Sequence, residues 1–467
     1  MFQTIIGAVS SFMYSKLLVI ILIGAGLYFT IRTRFPQVRL FERACESVME
    51  KPDDKEAISS FQALMVSTAS RVGTGNIVGV SSAICIGGFG SVFWMWVIAI
   101  IGSASALIES TLAQIYKRKG KDGECYGGPA YYIEAALHCR PLAIIFCISM
   151  IATYAFGFNM LASYNLQSTF SGFSFYDVKW TPWIIGGILA VITGWCLLGG
   201  GSRIVKVTST LVPAMGVAYI LISVIVMIIN RAYLPVVFSK IISEAFDFKA
   251  IFGAFAGSAM MQGIRRGLYS NEAGIGSAPN ASASAQVSHP IKQGLVQMLS
   301  VFIDTLLLCT ATAMMCLSSG IAPAQELQGA PWVQAALHES LGNFGPLFIT
   351  VAMVLFAFTT LLGNCFYCDN LLNYIHKGQP SKTFMKGFRI VSALVVFIGA
   401  GMEVSMLWNI SDVLMGVMAL INIPVILILS NTALKALEDY EKQKKNGENP
   451  VFKTGNIGLE YETDYWS

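Results

Sequence analysis

The chain has 467 residues and a formal net charge of +4, with 55% hydrophobic but only 12% charged residues. Soluble domains carry about 25% charged residues, so this composition excludes an ordinary soluble protein. The charges sit between long apolar blocks, and they form no nucleic-acid-binding patch.

Blocks of about 18 or more apolar residues read as membrane-spanning helices. Eleven spans are predicted in chain order, near 12–31, 58–83, 89–115, 141–170, 181–200, 208–230, 250–282, 293–318, 346–375, 388–403 and 406–430. The reading is an all-α polytopic membrane protein. The first block reads as a helix and not as a signal peptide, because its apolar run continues past Lys16 without a clean cleavage site. The loops at 32–56, 116–128, 199–207, 283–292, 376–389 and 431–467 hold 22 lysines and arginines, and the opposite loops hold four. This asymmetry predicts a multi-pass protein of the cell membrane with its N-terminus outside and its C-terminus cytoplasmic. Residues 123–140 predict a glycine turn and a short helix at the cytoplasmic surface, and residues 323–340 a short outer helix. The charged chain beyond Leu437 reads as a mobile extension.

The second and seventh spans are interrupted. In "SRVGTGNIVG" (70–79), Arg71 is the only formal charge between Ala57 and Leu107. The glycine string lacks the preceding strand, the βαβ unit and the downstream acid of a dinucleotide fingerprint. Gly75 and Gly79 form a GxxxG packing seam, but a seam explains neither Thr74 nor Asn76. A broken helix does. Its first half ends in free carbonyls suited to a cation, and its second half begins with free N–H groups suited to a carboxylate. A zwitterion with a co-ion fits such a site. The seventh span, "GIRRGLYSNEAGIGSAPNASASAQ" (263–286), has the same character. With the first span set aside, the interruptions fall in the first and sixth of ten spans, the pointer to an inverted-repeat transporter.

Arg71, Arg265 and Arg266 lie in the broken spans, and Glu109, Glu272 and Asp304 lie in membrane segments. Unpaired charge at membrane depth costs at least about 2.5 kcal/mol each, so these six predict a paired network around the breaks. The ten cysteines lie mostly in apolar runs and read as small buried side chains, Cys365 and Cys368 included. The four histidines have no metal-ligand spacing, and no nucleophile, metal or cofactor cluster argues for an enzyme. Channels have polar spans too, but without paired interruptions.

"RVGTGNIVGVSSAI" (71–84), "GGFGSVFWMWVIAIIG" (87–102), "GGPAYYI" (127–133), "RGLYSNEAGIGSAP" (266–279) and "HPIKQGLVQMLSVFIDTLL" (289–307) resemble signatures of the alanine/glycine:cation symporter family, the sodium:alanine symporters. The match runs from about residue 10 to 435. The resemblance implies a LeuT-like fold of five plus five helices in inverted repeat, with an extra N-terminal helix. The segments are then 1–56 for the extra helix and linker, 57–249 and 250–434 for the two repeats, and 435–467 for the tail. It also implies Na⁺-coupled uptake of a small neutral amino acid, with Na⁺ as coupling ion and no organic cofactor.

Carried over residue by residue, the amides of Thr74, Gly75 and Asn76 hold the substrate carboxylate, and Tyr269, Ser270 and Asn271 face them. The Ala69 and Val72 carbonyls and the Thr359 and Thr360 hydroxyls hold the cation. Many members carry "NxVQxN" where this chain reads "NMLASY" (159–164), which puts Ala162 in place of a substrate-facing glutamine. Tyr269 replaces a phenylalanine found in many members, and Asn364 replaces a tryptophan found in some alanine carriers. These departures alter side-chain choice, so alanine, glycine, serine and glutamine all remain admissible, in either enantiomer. Proton coupling stays open through Glu109, Glu272 and Asp304, and oligomeric state is not set by the sequence.

Overall fold

Hydrocarbon offers no hydrogen bonds to a peptide backbone, so a chain immersed in it coils into helices that bond internally. The computed structural model describes residues 2–52, 54, 57–120, 124–247, 257–459 and 463–466. In chain order its main helices are α1 Gln3–Arg32, α2 Ser60–Arg71, α3 Val78–Gly87, α4 Gly90–Ile115, α5 Arg140–Ser168, α6 Thr181–Leu197 and α7 Gly200–Ile229. They continue as α8 Ala259–Asn271, α9 Pro290–Leu317, α10 Phe344–Ile375, α11 Lys382–Ala400, α12 Val404–Ile428 and α13 Ser430–Lys445. Among the described residues, eight helices are long and apolar enough to cross a membrane. The second predicted span divides into α2 and α3, and the seventh into α8 and a single turn at Pro279–Ser282. The start predicted for the seventh span, and the boundary at 249/250, lie outside the described residues. The short helices expected near 123–140 and 323–340 appear as Pro129–Leu137 and Ala330–Leu341.

The interrupted helices are the innermost elements. All of α2 from Ala63 to Arg71 is buried, as is all of α8 from Met261 to Asn271. α4 packs against α9, α8 and α1, while α11 packs against α5 and α6. The apolar faces of α6 and α7 point outward, with Ile184, Val191, Trp195, Leu221 and Ile225 exposed, as lipid-facing helices require. Among the described residues, three stretches widen from α to π winding: Met13–Leu18, Ala152–Gly157 and Phe302–Cys309. The last carries Asp304, and such bulges often mark functional sites.

At the end of the bundle that carries the basic loops, Ala285 joins three elements. Its carbonyl accepts from Gln114 Nε2 at 2.9 Å and Lys117 Nζ at 3.0 Å, and it bridges to Ile58. The chain beyond Leu437 is docked here, which corrects the expectation of a mobile extension. The Phe452 N–H donates to Ser288 O at 2.9 Å, and the Trp466 indole donates to Gln114 O at 2.8 Å. Arg118 pairs with Asp464 at 2.7 Å, and Lys117 Nζ lies 3.7 Å from the centre of the Tyr465 ring. His289 sits against the Tyr440 and Phe452 rings, with Nε2 3.3 Å from Asp439. The reason is apolar surface: Phe452, Ile457 and Trp466 are buried despite the charged sequence around them.

Trp466→Ala should therefore free the tail, since truncating a buried tryptophan costs about 3–5 kcal/mol. Trypsin cleavage at Lys453 of purified protein should accelerate about a hundredfold or more, since each 1.4 kcal/mol is a factor of about ten. Acid should do likewise. Burial lowers His289 from 6.5 to about 4, against a raising contribution from Asp439. The undocked state then binds more protons between those values. Docking is strongest above pH 6.5 and weakens as pH falls toward 4.

Candidate functional site

The first break occupies the six residues from Val72 to Ile77. α2 ends at Arg71, Thr74–Asn76 form one 3₁₀ turn, and α3 begins at Val78. The Val72 N–H still reaches back to Thr68 O at 2.6 Å, but the amides beyond it do not follow the helix: Gly73 N–H donates to Asn76 Oδ1 at 2.9 Å, and Asn76 N–H donates to Gly73 O at 3.2 Å. This leaves the carbonyls at the end of α2 without their helical donors, and the Thr74 and Gly75 amides pointing out of the turn. Of the three amides expected to meet a carboxylate, the Asn76 amide is thus used within the break itself.

The glycines serve close approach. Neither Gly73 nor Gly75 has a positive φ. A Cβ on Gly73 would collide with the Thr360 hydroxyl, and one on Gly75 would lie 2.7 Å from Tyr269 Cε1. Thr360 and Tyr269 are therefore brought onto the break. Thr360 Oγ1 is buried with no hydrogen-bond partner among the described residues. Thr359 is turned away: its hydroxyl donates to Leu355 O at 2.9 Å on its own helix, a common arrangement for a helical threonine.

Asp304 joins the two interrupted helices. Its carboxylate accepts from Asn76 Nδ2 at 2.7 Å in the first break and from Ser270 Oγ at 2.8 Å on α8, with Thr305 Oγ1 at 2.7 Å. Asn271 Oδ1 accepts from Ala273 N–H at 3.0 Å, which shapes the second break. Asn364 is committed to support: its Nδ2 donates to Asn159 Oδ1 at 2.9 Å, and its Oδ1 accepts from Ser70 at 2.7 Å. Ala162 is fully buried and adds no polar atom. Tyr269 stands between Phe158 and Trp408, edge to face, with ring centroids 4.9 and 5.0 Å away.

The second break is treated differently. Glu272, Gly274 and Gly276 adopt left-handed backbone, with φ of 54°, 83° and 86°. The freed Gly274 and Gly276 amides donate to the two carboxylate oxygens of Glu109, at 3.2 and 3.1 Å. Asn422 Nδ2 completes this cradle at 2.9 Å from Glu109 Oε2 and 2.9 Å from Gly274 O.

The expected six-member charge network does not form as predicted. Arg265 and Arg266 both meet Asp412 of α12, a residue outside the expected six, at 3.5 and 3.3 Å. Their guanidinium groups also lie over aromatic faces, Arg265 4.7 Å from Tyr14 and Arg266 3.9 Å from Trp408. Among the described residues, Arg71 has no carboxylate within 4 Å, and its Nη1 donates to Gln297 Oε1 at 3.3 Å. It lies in electrostatic range of Glu109, Glu272 and Asp304. Neutral donors hold those acids instead, as Ser277 Oγ does for Glu272 at 2.6 Å. Hydroxyls, carboxamides and backbone amides fill carboxylate lone pairs without a counter-charge.

Fold and site together define a polytopic helical bundle of the LeuT-like class, built around interrupted helices. The solved structure of MhsT in complex with L-phenylalanine shares this fold, with a TM-score of 0.58 at 14% identity, covering 84% of this chain and 93% of that one. The sodium:alanine symporter family model matches residues 1–454, and the chain belongs to that family. It is 44% identical to the amino-acid carrier protein AlsT of Bacillus subtilis (strain 168), over 98% of this chain and 96% of the relative. It is 41% identical to the probable sodium/glutamine symporter GlnT of the same organism, over 96% and 93%.

Asp412→Ala would leave two buried guanidinium groups facing each other. Breaking such a pair costs about 3–5 kcal/mol, so the variant's unfolding temperature in detergent should fall well below that of the parent.

Proposed function

We propose that the chain carries a small neutral amino acid into the cell together with Na⁺, by alternating exposure of the first break. The observation that carries this reading is the asymmetry of the two breaks. The second has its freed amides covered by the protein's own carboxylate, Glu109. The first leaves the Thr74 and Gly75 amides for a carboxylate from outside. Helix N-termini favour anions in this way.

The cation is a co-substrate. The α2-terminal carbonyls from Ala69 to Val72, with the unpartnered Thr360 hydroxyl, supply the oxygen donors a hard cation takes. Thr359 joins them only after a change of rotamer. Tyr269 closes over the site, Ser270 and Asn76 hold Asp304, and Asn364 braces α2 through Ser70. The halves 57–249 and 250–434 act as inverted repeats whose relative rocking opens either side. The basic end faces the cytoplasm, on the strength of its 22 loop cations against four. Alanine, after which the family is called, and glutamine, after which the relative GlnT is called, are the first substrates to test. A proton-coupled reading is favoured by one feature, the three buried acids Glu109, Glu272 and Asp304 around a single Arg71.

The test is uptake by proteoliposomes under an imposed inward Na⁺ gradient. Labelled amino acid should accumulate above equilibrium and leak back when the gradient is collapsed. Uptake that ignores Na⁺ and follows a pH gradient would overturn the sodium assignment, and simple equilibration would indicate a channel. Gly75→Ala should abolish uptake, because its methyl group falls on Tyr269. Thr360→Ala should raise the half-saturating Na⁺ concentration roughly tenfold, the equivalent of one lost ligand at about 1.4 kcal/mol.

A further inference from the structure

Several carboxamides surround the two breaks; among the described residues Asn271 Nδ2 and Gln297 Nε2 are buried donors without a partner, while other carboxamides are bonded through both atoms. Asn76 both accepts and donates within the site. Asn159 accepts from Asn364 and donates to Ala155 O, and Asn364 is bonded at both ends. Asn165 of α5 differs. It is fully buried, and its Nδ2 donates to Thr74 Oγ1 at 3.1 Å, which points the side chain at the first break. Its Oδ1 is buried and accepts nothing from the described residues.

Two further facts bear on that oxygen. Asn165 lies three residues beyond Ala162, so the two share one face of α5. Ala162 offers no polar atom, and Asn364 is occupied, so neither can read a substrate side chain. A buried acceptor without a partner, fixed to the residue whose amide is offered to a carboxylate, is matched to a donor that the ligand brings. The donor is a neutral one. A single carboxamide oxygen suits an amide N–H or a hydroxyl, whereas a buried ammonium needs charged or several acceptors.

We infer that Asn165 sets side-chain choice, with Thr74 orienting its amide and Oδ1 accepting from an N–H or O–H on the substrate side chain. The substrate class is then neutral amino acids with a donor-bearing side chain, glutamine and serine ahead of alanine. An alanine in the site would leave Oδ1 unpaired, and sites built around such a bond reject analogues lacking the donor. This inference rests on the amino-acid reading above.

The experiment measures Na⁺-driven uptake of labelled glutamine, serine and alanine in proteoliposomes, for the parent, Asn165→Ala and the near-isosteric Asn165→Leu. Elution as a single species in detergent, with an unfolding temperature close to the parent's, establishes that a variant is folded. The parent should favour glutamine or serine over alanine by at least about tenfold in kcat/KM, the scale of one satisfied hydrogen bond. Both variants should shrink that ratio about tenfold while alanine uptake persists. An unchanged ratio in a variant that still transports overturns the assignment of Asn165 alone. Equal loss of all three substrates overturns it too, since Asn165 would then act on something they share. If the parent takes up none of them with Na⁺, the amino-acid reading fails, and this inference with it.

Discussion

Backbone released from its hydrogen bonds inside a membrane must find partners, and that constraint organises this protein. The chain opens α2/α3 and the end of α8, then packs both breaks at its centre, where protein replaces the missing donors and acceptors. Polar side chains that would be costly elsewhere in the bundle gather there. Asn76 folds back to take the Gly73 amide, and Asn271 takes the Ala273 amide. What is left over at the first break is a short set of carbonyls, two amides and one hydroxyl.

The buried acids divide the remaining work. Glu109 fills the second break and fixes it as a structural turn. Asp304 ties the first break to α8 through Asn76 and Ser270, so one carboxylate bridges the two interrupted elements. Asp412 holds Arg265 and Arg266 against Trp408 and Tyr14, which links α8 to α12 and to the N-terminal helix α1. Tyr269 lies between these systems, its ring over Gly75 on one side and against Trp408 on the other. A ligand entering the first break would therefore be felt by Tyr269 and Trp408, and through Trp408 by the Arg266–Asp412 pair.

The fold was legible in the sequence because hydrophobic length and the interruption of α2/α3 and α8 are properties of contiguous residues. So was the position of the first break, where Gly73, Gly75 and Asn76 interrupt an otherwise apolar run. Partnerships across the bundle were harder to read. Asp412 is a lone acid in "WNISDVLMG", a signal that was present in the text, yet its two arginines lie about 146 residues away. Thr359 and Thr360 are adjacent and look equivalent, but one helical step turns one hydroxyl back to Leu355 and the other toward Gly73. Asn165 carried no motif at all and stands out only once its oxygen is seen to lack a partner. The tail was misread because its charges outnumber its apolar residues. The few aromatic anchors, Phe452, Tyr465 and Trp466, decide the outcome.

The central claim is that the Thr74 and Gly75 amides receive a carboxylate while a cation holds the carbonyls beside them. The most direct measurement is the thermal stabilisation of purified protein by glutamine and by alanine, against the matching α-carboxamides, each with and without Na⁺. Ligands that bind only the folded state raise its unfolding temperature by mass action. The account predicts stabilisation by the amino acids that depends on Na⁺, and none by the carboxamides, which lack the carboxylate. Equal stabilisation by the carboxamides would contradict it.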